Sequence, residues 1–179
     1  MSASNEWEQQ AIDAAVVVAL GSNLKGEYDS VRSLLTAAIL ALDHAGLPVL
    51  RRSRWWRSSA WPDPDEPAYL NGVAIVDTTL RPREVMDRLR QIERDFGRER
   101  RRPNAPRTLD LDLIAWGRLR IEDATLSLPH PRASERKFVM APLAEILPGW
   151  RHPVLGTSAA DLALVAPVGA DAAVLEEAS

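Results

Sequence analysis

The chain contains no cysteine. That excludes a disulfide scaffold, a thiol nucleophile and any cysteine-ligated zinc or iron–sulfur site. Histidine is scarce, with three copies at 44, 130 and 152, and their scatter gives no metal-ligand spacing. Long hydrophobic runs are also missing. The run Ala14–Leu20 falls far short of the roughly 20 residues that span a bilayer. Ser2–Gln10 is polar and acidic, so no basic region followed by an apolar stretch opens the sequence and secretion is not expected. Lysine is nearly absent: only Lys25 and Lys137 contribute to the 22 basic residues, the other 20 being arginine.

What is present fits one globular domain. There are 179 residues, 46% of them hydrophobic and 26% charged, with a net charge of −3. The charge is uneven. Nine arginines and five acids lie between Arg83 and Arg107. A solvated surface accounts for such a run, and so does a site for phosphate or carboxylate, which guanidinium groups bind in bidentate fashion.

The pattern along the chain predicts β-α-β-β-α-β, an α+β, ferredoxin-like arrangement with an antiparallel sheet, two helices on one face and additions at the C-terminal end. Ala14–Leu20 reads as a buried strand and Val31–Leu42 as a helix ended by Gly46 and Pro48. Val49–Trp61 and Tyr69–Thr78 read as extended. Pro82 opens a second helix with Val85, Met86, Leu89, Ile92 and Phe96 on one face and Gly97 just past its end. Thr108–Trp116 alternates as a strand, and Ala133–Ile146 reads as helical. The expected organisation is a loose extension over 1–13, a single domain over 14–165 and a frayed, Ala-rich tail over 166–179.

Gly21–Gly26 follows a strand and precedes a helix, but Glu27 and Tyr28 stand where a P-loop needs Lys and Ser or Thr, so it is read as a structural turn. The sharpest pattern is Thr108-Leu-Asp-Leu-Asp-Leu-Ile114. Side chains alternate faces along a strand, so Asp110 and Asp112 share one face and the leucines the other. Two carboxylates so placed suit a solvated acidic edge, or a magnesium site that takes its remaining ligands from water and phosphate. The adjoining arginine-rich loop adds phosphate-binding groups, and the two together are the components of phosphoryl transfer. Tyr69 and Asn71 put a stacking ring and a paired donor and acceptor on one strand face, as a flat heterocycle requires. His130 sits in the rigid turn Leu128-Pro-His-Pro131, ahead of Arg132, Arg136 and Phe138.

Four segments occur in order: Ala19-Leu-Gly-Ser-Asn23, Tyr69-Leu-Asn71, Pro106-Arg-Thr-Leu-Asp-Leu-Asp112, and Pro129-His-Pro-Arg132 with Glu135, Arg136 and Phe138. Together they resemble the 6-hydroxymethyl-7,8-dihydropterin pyrophosphokinases of folate biosynthesis, over about Ala14 to Val165. The resemblance implies transfer of pyrophosphate from ATP to the pterin alcohol, with release of AMP. It implies two Mg2+ ions on Asp110 and Asp112. The pterin would lie between Tyr69 and Phe138, bonded by Asn71 and the strand around Ser58. Arg98 and Arg107 would act on the phosphates from a mobile loop. Arg100, His130 and Arg136 would belong to the ATP site, with Glu93 on the helix lining it. The implied partners are these two small molecules, with no nucleic acid and no membrane, for a monomer in the cytoplasm.

Three positions depart from the family pattern. Asn104 replaces a common Trp, Arg90 replaces a neutral amide, and Ser58-Ser59 replaces Thr-Pro or Glu-Pro, a change expected to loosen the pterin-side strand. Two rival functions use the same features. An RNA-binding ferredoxin-like module would stack bases on Trp55, Trp56 and Tyr69, but it leaves the two aspartates unexplained. A nucleotidyltransferase would use the carboxylates and release pyrophosphate instead of AMP.

Overall fold

The computed structural model describes residues 3–60, 63–97 and 108–176. The elements run α1 (Ala3–Ala14), β1 (Val16–Ser22), α2 (Val31–His44), β2 (Val49–Arg52), β3 (Trp56–Ser58), β4 (Tyr69–Val76) and α3 (Pro82–Asp95). They continue with β5 (Asp110–Trp116), β6 (Ile121–Glu122), β7 (Ser127–Leu128), α4 (Lys137–Ile146), α5 (Ala159–Val165) and β8 (Ala173–Val174). The main sheet is antiparallel in the order β5-β1-β4-β3-β8, with β2 also on β4. This is the ferredoxin-like α+β fold that the pattern predicted.

Alternation along β1 divides the sheet into two faces. Val16, Val18 and Leu20 pack with Leu34, Leu35 and Leu42 of α2 and Val85, Leu89 and Ile92 of α3. Val17 and Ala19 face the other way, toward Val139, Met140 and Leu143 of α4 and Leu162 of α5. Both long helices end as expected. Ser30 and Ser33 form a reciprocal capping box that starts α2, and Pro82 occupies the first turn of α3. Gly46 and Gly97 follow the two helix ends at φ +77 each, the left-handed conformation glycine adopts without penalty.

The extended run Val49–Trp61 is broken into two strands. Ser53 causes the break: its N–H donates to Val73 O (2.9 Å), and its Oγ accepts from Val73 N–H (3.0 Å) in place of a backbone carbonyl. Trp55 then turns inward over Gly72, where a Cβ would come within 2.6 Å of the indole ring.

Both chain ends differ from the sequence expectation. The presumed extension carries helix α1, and its Ile12 packs on the second core, against Gly149. The tail is not frayed through residue 176. β8 pairs with β3, Val168 bridges Arg136, and the Lys137 ammonium donates to Ala170 O (2.8 Å). The pairing with β8 satisfies backbone groups on the outer edge of β3, which composition alone does not reveal. The predicted helix from Ala133 is likewise split. A 3₁₀ turn covers Ala133–Glu135, and Arg136 is extended at φ −110 and ψ 106 before α4 begins. The Val168 backbone fills that gap: its N–H donates to Glu135 O (3.0 Å), and its C=O accepts from Lys137 N–H (2.9 Å). Among the described residues, no helix is long and apolar enough to cross a membrane.

Candidate active site

The second sheet face changes character along its strands. Under α4 it is apolar, at Val17, Val73 and Ile114. Farther along β1, side chains shrink from Val17 through Ala19 to Gly21, and β5 presents Asp112 and Asp110 in place of apolar groups. Gly21 is paired with Asn71 of β4 on one side and Asp110 of β5 on the other. A Cβ on Gly21 would approach Asn71 Oδ1 at 3.3 Å, so glycine lets three polar side chains share a cramped floor.

Over this floor opens a cleft lined by Ser58, Ser59, Tyr69, Asn71, Asp110, Asp112, Arg132, Arg136, Phe138 and Val168. Seven of the residues singled out in the sequence therefore meet: Ser58, Tyr69, Asn71, Asp110, Asp112, Arg136 and Phe138. They come from β3, β4, β5 and the start of α4. Asn71 is buried, and its Nδ2 donates to Ser58 Oγ at 3.0 Å, which orients the amide. The extended residue ahead of α4 brings the Arg136 guanidinium 3.5 Å from Asp112 Oδ2 and 5.9 Å from the centre of the Phe138 ring. The latter is cation–π range.

His130 reaches the same carboxylate from another direction. Its N–H donates to Ile114 O (2.8 Å), which pins the turn to β5, and its Nε2 lies 3.9 Å from Asp112 Oδ2. Nδ1 accepts from Arg132 N–H (3.2 Å), so the ring proton belongs on Nε2. Burial lowers the His130 pKa below its ordinary 6.5. Asp112 opposes that shift and Arg136 adds to it, so the ring is neutral at pH 7. His130 also lines a second, adjoining cleft with Met86, Asp123, Thr125 and Pro131, and Asp112 belongs to both. The turn Asp123–Leu126 that borders it is held by Asp123 Oδ1, which accepts from the N–H groups of Thr125 and Leu126. Arg83 of α3 donates to Asp123 Oδ2 (2.6 Å).

Glu93 lies elsewhere. It is buried on α3, and its Oε1 accepts from Leu111 N–H at 2.8 Å, closing the outer edge of β5. It supports the strand that carries the aspartates and is not among the residues lining the cleft. Arg90 is a surface residue, 3.6 Å from Asp87. Arg98, Arg100, Asn104 and Arg107, with the whole arginine-rich loop, fall outside the described residues, as does Trp61.

Two further features have no role assigned from the sequence. Arg132 and Val168 line the cleft, and Ser59 N–H donates to Asp171 Oδ2 at 2.7 Å. The Ser-for-Pro change at position 59 therefore does not loosen the strand. It supplies an N–H, which proline lacks, and the tail binds it.

Among the described residues, no three His, Cys, Asp or Glu side chains gather into a closed metal cage. The donor set on β5 nevertheless fits magnesium. Two hard carboxylates face an open cleft, and magnesium commonly binds through one or two carboxylates together with water and substrate phosphates.

Residues 17–148 match the model of the 7,8-dihydro-6-hydroxymethylpterin-pyrophosphokinase family. The chain belongs to that family. It is 42% identical over 140 residues to the 2-amino-4-hydroxy-6-hydroxymethyldihydropteridine pyrophosphokinase of Synechocystis, covering 78% of this chain and 70% of the relative. A mitochondrial folate synthesis bifunctional protein of Arabidopsis thaliana is 36% identical over 144 residues, 80% of this chain but only 25% of that protein. The fold matches the HPPK-DHPS of Plasmodium falciparum solved with pteroate, with a TM-score of 0.63 at 13% identity, over 83% of this chain and 41% of that one. The chain thus spans a minor part of the Arabidopsis and Plasmodium proteins and most of the Synechocystis enzyme.

Proposed function

We propose that the cleft transfers pyrophosphate from ATP to the hydroxymethyl group of 6-hydroxymethyl-7,8-dihydropterin and releases AMP, a step of folate biosynthesis. One observation carries this reading. A pair of carboxylates, two arginines, two aromatic rings and an oriented amide converge on one cleft. Family membership supplies the reaction, and the cleft supplies groups for both substrates.

The pterin ring is proposed to stack between Tyr69 and Phe138, with Asn71 reading its edge. Because Ser58 takes one Asn71 donor, the amide is held in a single orientation before substrate arrives. Asp110 and Asp112 would hold two magnesium ions, which when bound supply neutralisation of the triphosphate charge. Arg136 sits between Asp112 and Phe138, at the boundary of the phosphate and pterin halves. The neutral His130, with its Nε2 proton on the Asp112 side of the adjoining cleft, is suited to donate to a phosphate oxygen without adding charge. Arg98, Arg100 and Arg107 are proposed to meet the remaining phosphate oxygens, and Glu93 to hold β5 in register beneath them. In the reaction the pterin hydroxyl oxygen bonds to the β-phosphorus. The bond from that phosphorus to the α,β-bridging oxygen breaks, its electron pair leaves with AMP, and the hydroxyl proton is lost. Placement and charge stabilisation carry such a transfer, and no covalent nucleophile is needed. A monomer in the cytoplasm completes the proposal.

The test is nucleotide analysis of reactions containing ATP, magnesium and the purified chain. AMP forming only when the pterin alcohol is present is the expected result. Free pyrophosphate in place of AMP would assign a nucleotidyltransferase, and no turnover with RNA retained on a filter would assign the binding module.

A further inference from the structure

The C-terminal segment lies beyond the matched residues 17–148, yet it touches both walls of the cleft. On one wall β8 covers the free edge of β3: Trp56 pairs with Val174 and Arg57 with Ala173, and Leu175 N–H donates to Trp55 O (2.8 Å). Asp171 ends this contact by accepting from Ser59 N–H, one residue after Ser58, which orients Asn71. On the other wall Val168 pairs with the backbone around Arg136, and the Lys137 ammonium holds Ala170 O. Between these anchors Gly169, at φ +68, lies so close to Phe138 that a Cβ there would stand 2.4 Å from the ring. A side chain is excluded twice over, by conformation and by the ring.

The geometry points to residues 168–175 as a strap that fixes the separation of the two pterin walls, with Asp171 as a positioning residue for the pterin substrate. Asp171 acts through Ser59 and Ser58 on the Asn71 side, while Gly169 sets the ring of Phe138 on the other. The inference rests on the assignment of Ser58, Tyr69, Asn71 and Phe138 to the pterin. The Ser59 hydroxyl and amide hold the Asp171 carboxyl below its usual range, so the acceptor is charged and the bond charge-assisted at neutral pH. The phosphate half has no tie to Asp171 among the described bonds, so loss of the clamp should affect the two substrates unequally.

Asp171 is exposed, so its removal leaves the core intact. Steady-state assays on the full chain compare Asp171→Ala, Asp171→Asn, Ser59→Pro and the Asp171→Ala/Ser59→Pro double variant. Ser58 is a strand residue, already in the conformation that a following proline demands. Loss of one charge-assisted hydrogen bond at a solvated position should raise KM for the pterin alcohol about threefold to tenfold. KM for ATP should stay within about twofold in the same variants. Asp171→Asn, which keeps an acceptor oxygen, should recover most of the loss. The double variant should be no worse than either single one, because both remove the same bond. Unchanged pterin KM in Asp171→Ala, equal rises for both substrates, or additive effects in the double variant would each overturn the strap. Tyr69→Ala serves as the control. If it leaves pterin KM unchanged, the pterin assignment itself has failed. If it raises that KM while Asp171→Ala is silent, only the strap has failed.

Discussion

The two faces of one sheet are built from the same strands and do different work. On the α2–α3 face β1, β4 and β5 each contribute apolar side chains, which join those of the two helices in one core. On the α4–α5 face the apolar core covers only part of the strands. It then yields to Gly21, Asn71, Asp110 and Asp112 within the same hydrogen-bonded registers. The closed face therefore supplies the stability against which the open face can carry two like charges and a cleft. Within β5 the division falls between adjacent residues: Leu111 is buried, and Asp110 and Asp112 on either side of it face the cleft.

That division is testable on a single strand. Leu111→Ala removes a buried side chain from the closed face and should cost about 2–5 kcal/mol of folding stability. Denaturant titration measures the loss. Turnover of the folded fraction should stay close to wild type, since the aspartates and the β1–β5 register remain. A large fall in turnover without a loss of stability would show that the two faces are not separable. The converse change is Asp110→Asn or Asp112→Asn. Shape is kept and a charge removed, so thermal melts should show an intact fold. AMP production at saturating magnesium should fall at least a hundredfold, equivalent to about 2.7 kcal/mol of transition-state stabilisation. Near-normal turnover in both variants would return the aspartates to the role of a solvated edge.

Smaller effects belong to the aromatic walls of the open face. Tyr69→Ala and Phe138→Ala each delete one ring lining the cleft. On the proposed assignment each ring would contribute about 0.5–1.5 kcal/mol of stacking beyond its buried area. Calorimetric titration should show weaker pterin binding and unchanged binding of an ATP analogue. Parallel weakening of both ligands would make the rings structural.

How much of this could be read from the sequence follows from the range of the interactions involved. Asp110 and Asp112 share a face because strand alternation is local, and the alternating leucines announce it. Gly46 and Gly97 mark helix ends for the same reason. The break at Ser53 was hidden because it depends on a hydroxyl bonding to Val73, 20 residues away. The docking of the tail depends on Ser59 meeting Asp171 across 112 residues, and an Ala-rich composition carries no trace of it. Glu93 illustrates a subtler limit. The family resemblance places it on the helix lining the nucleotide site, and nothing local in the sequence shows that its buried carboxylate also accepts from the Leu111 amide at the sheet edge.

The smallest effect predicted concerns how helices are held on the two faces. The helix α2 packs on its face through the buried side chains Leu34, Leu35, Ala38 and Leu42. In addition to its apolar face, α4 has a polar tie. Glu145 Oε1 accepts from the N–H and Nε of Arg54 (3.0 and 3.1 Å), and Oε2 accepts from Trp56 Nε1 (2.9 Å). Burial alone would raise the Glu145 pKa. The hydrogen bonds from Arg54 and Trp56 outweigh it, and the value falls below its ordinary 4.5. A carboxylate whose pKa is lower in the folded state stabilises the fold fully above its unfolded value and loses that contribution as pH falls through the folded value. The tie should therefore weaken below about pH 4.5, and on the open face first. Because the group is mostly solvated, solvent screens the interaction and the change in overall stability should be small. Hydrogen exchange is the more sensitive readout. Between pH 6 and pH 3, after correction for intrinsic rates, amides at the C-terminal end of α4 should lose protection in the wild type while those of α2 do not. In Glu145→Gln the α4 amides should be less protected at pH 6, and their protection should depend less on pH. Equal loss of protection in α2 and α4 would place the acid sensitivity in the domain as a whole and remove this difference between the faces.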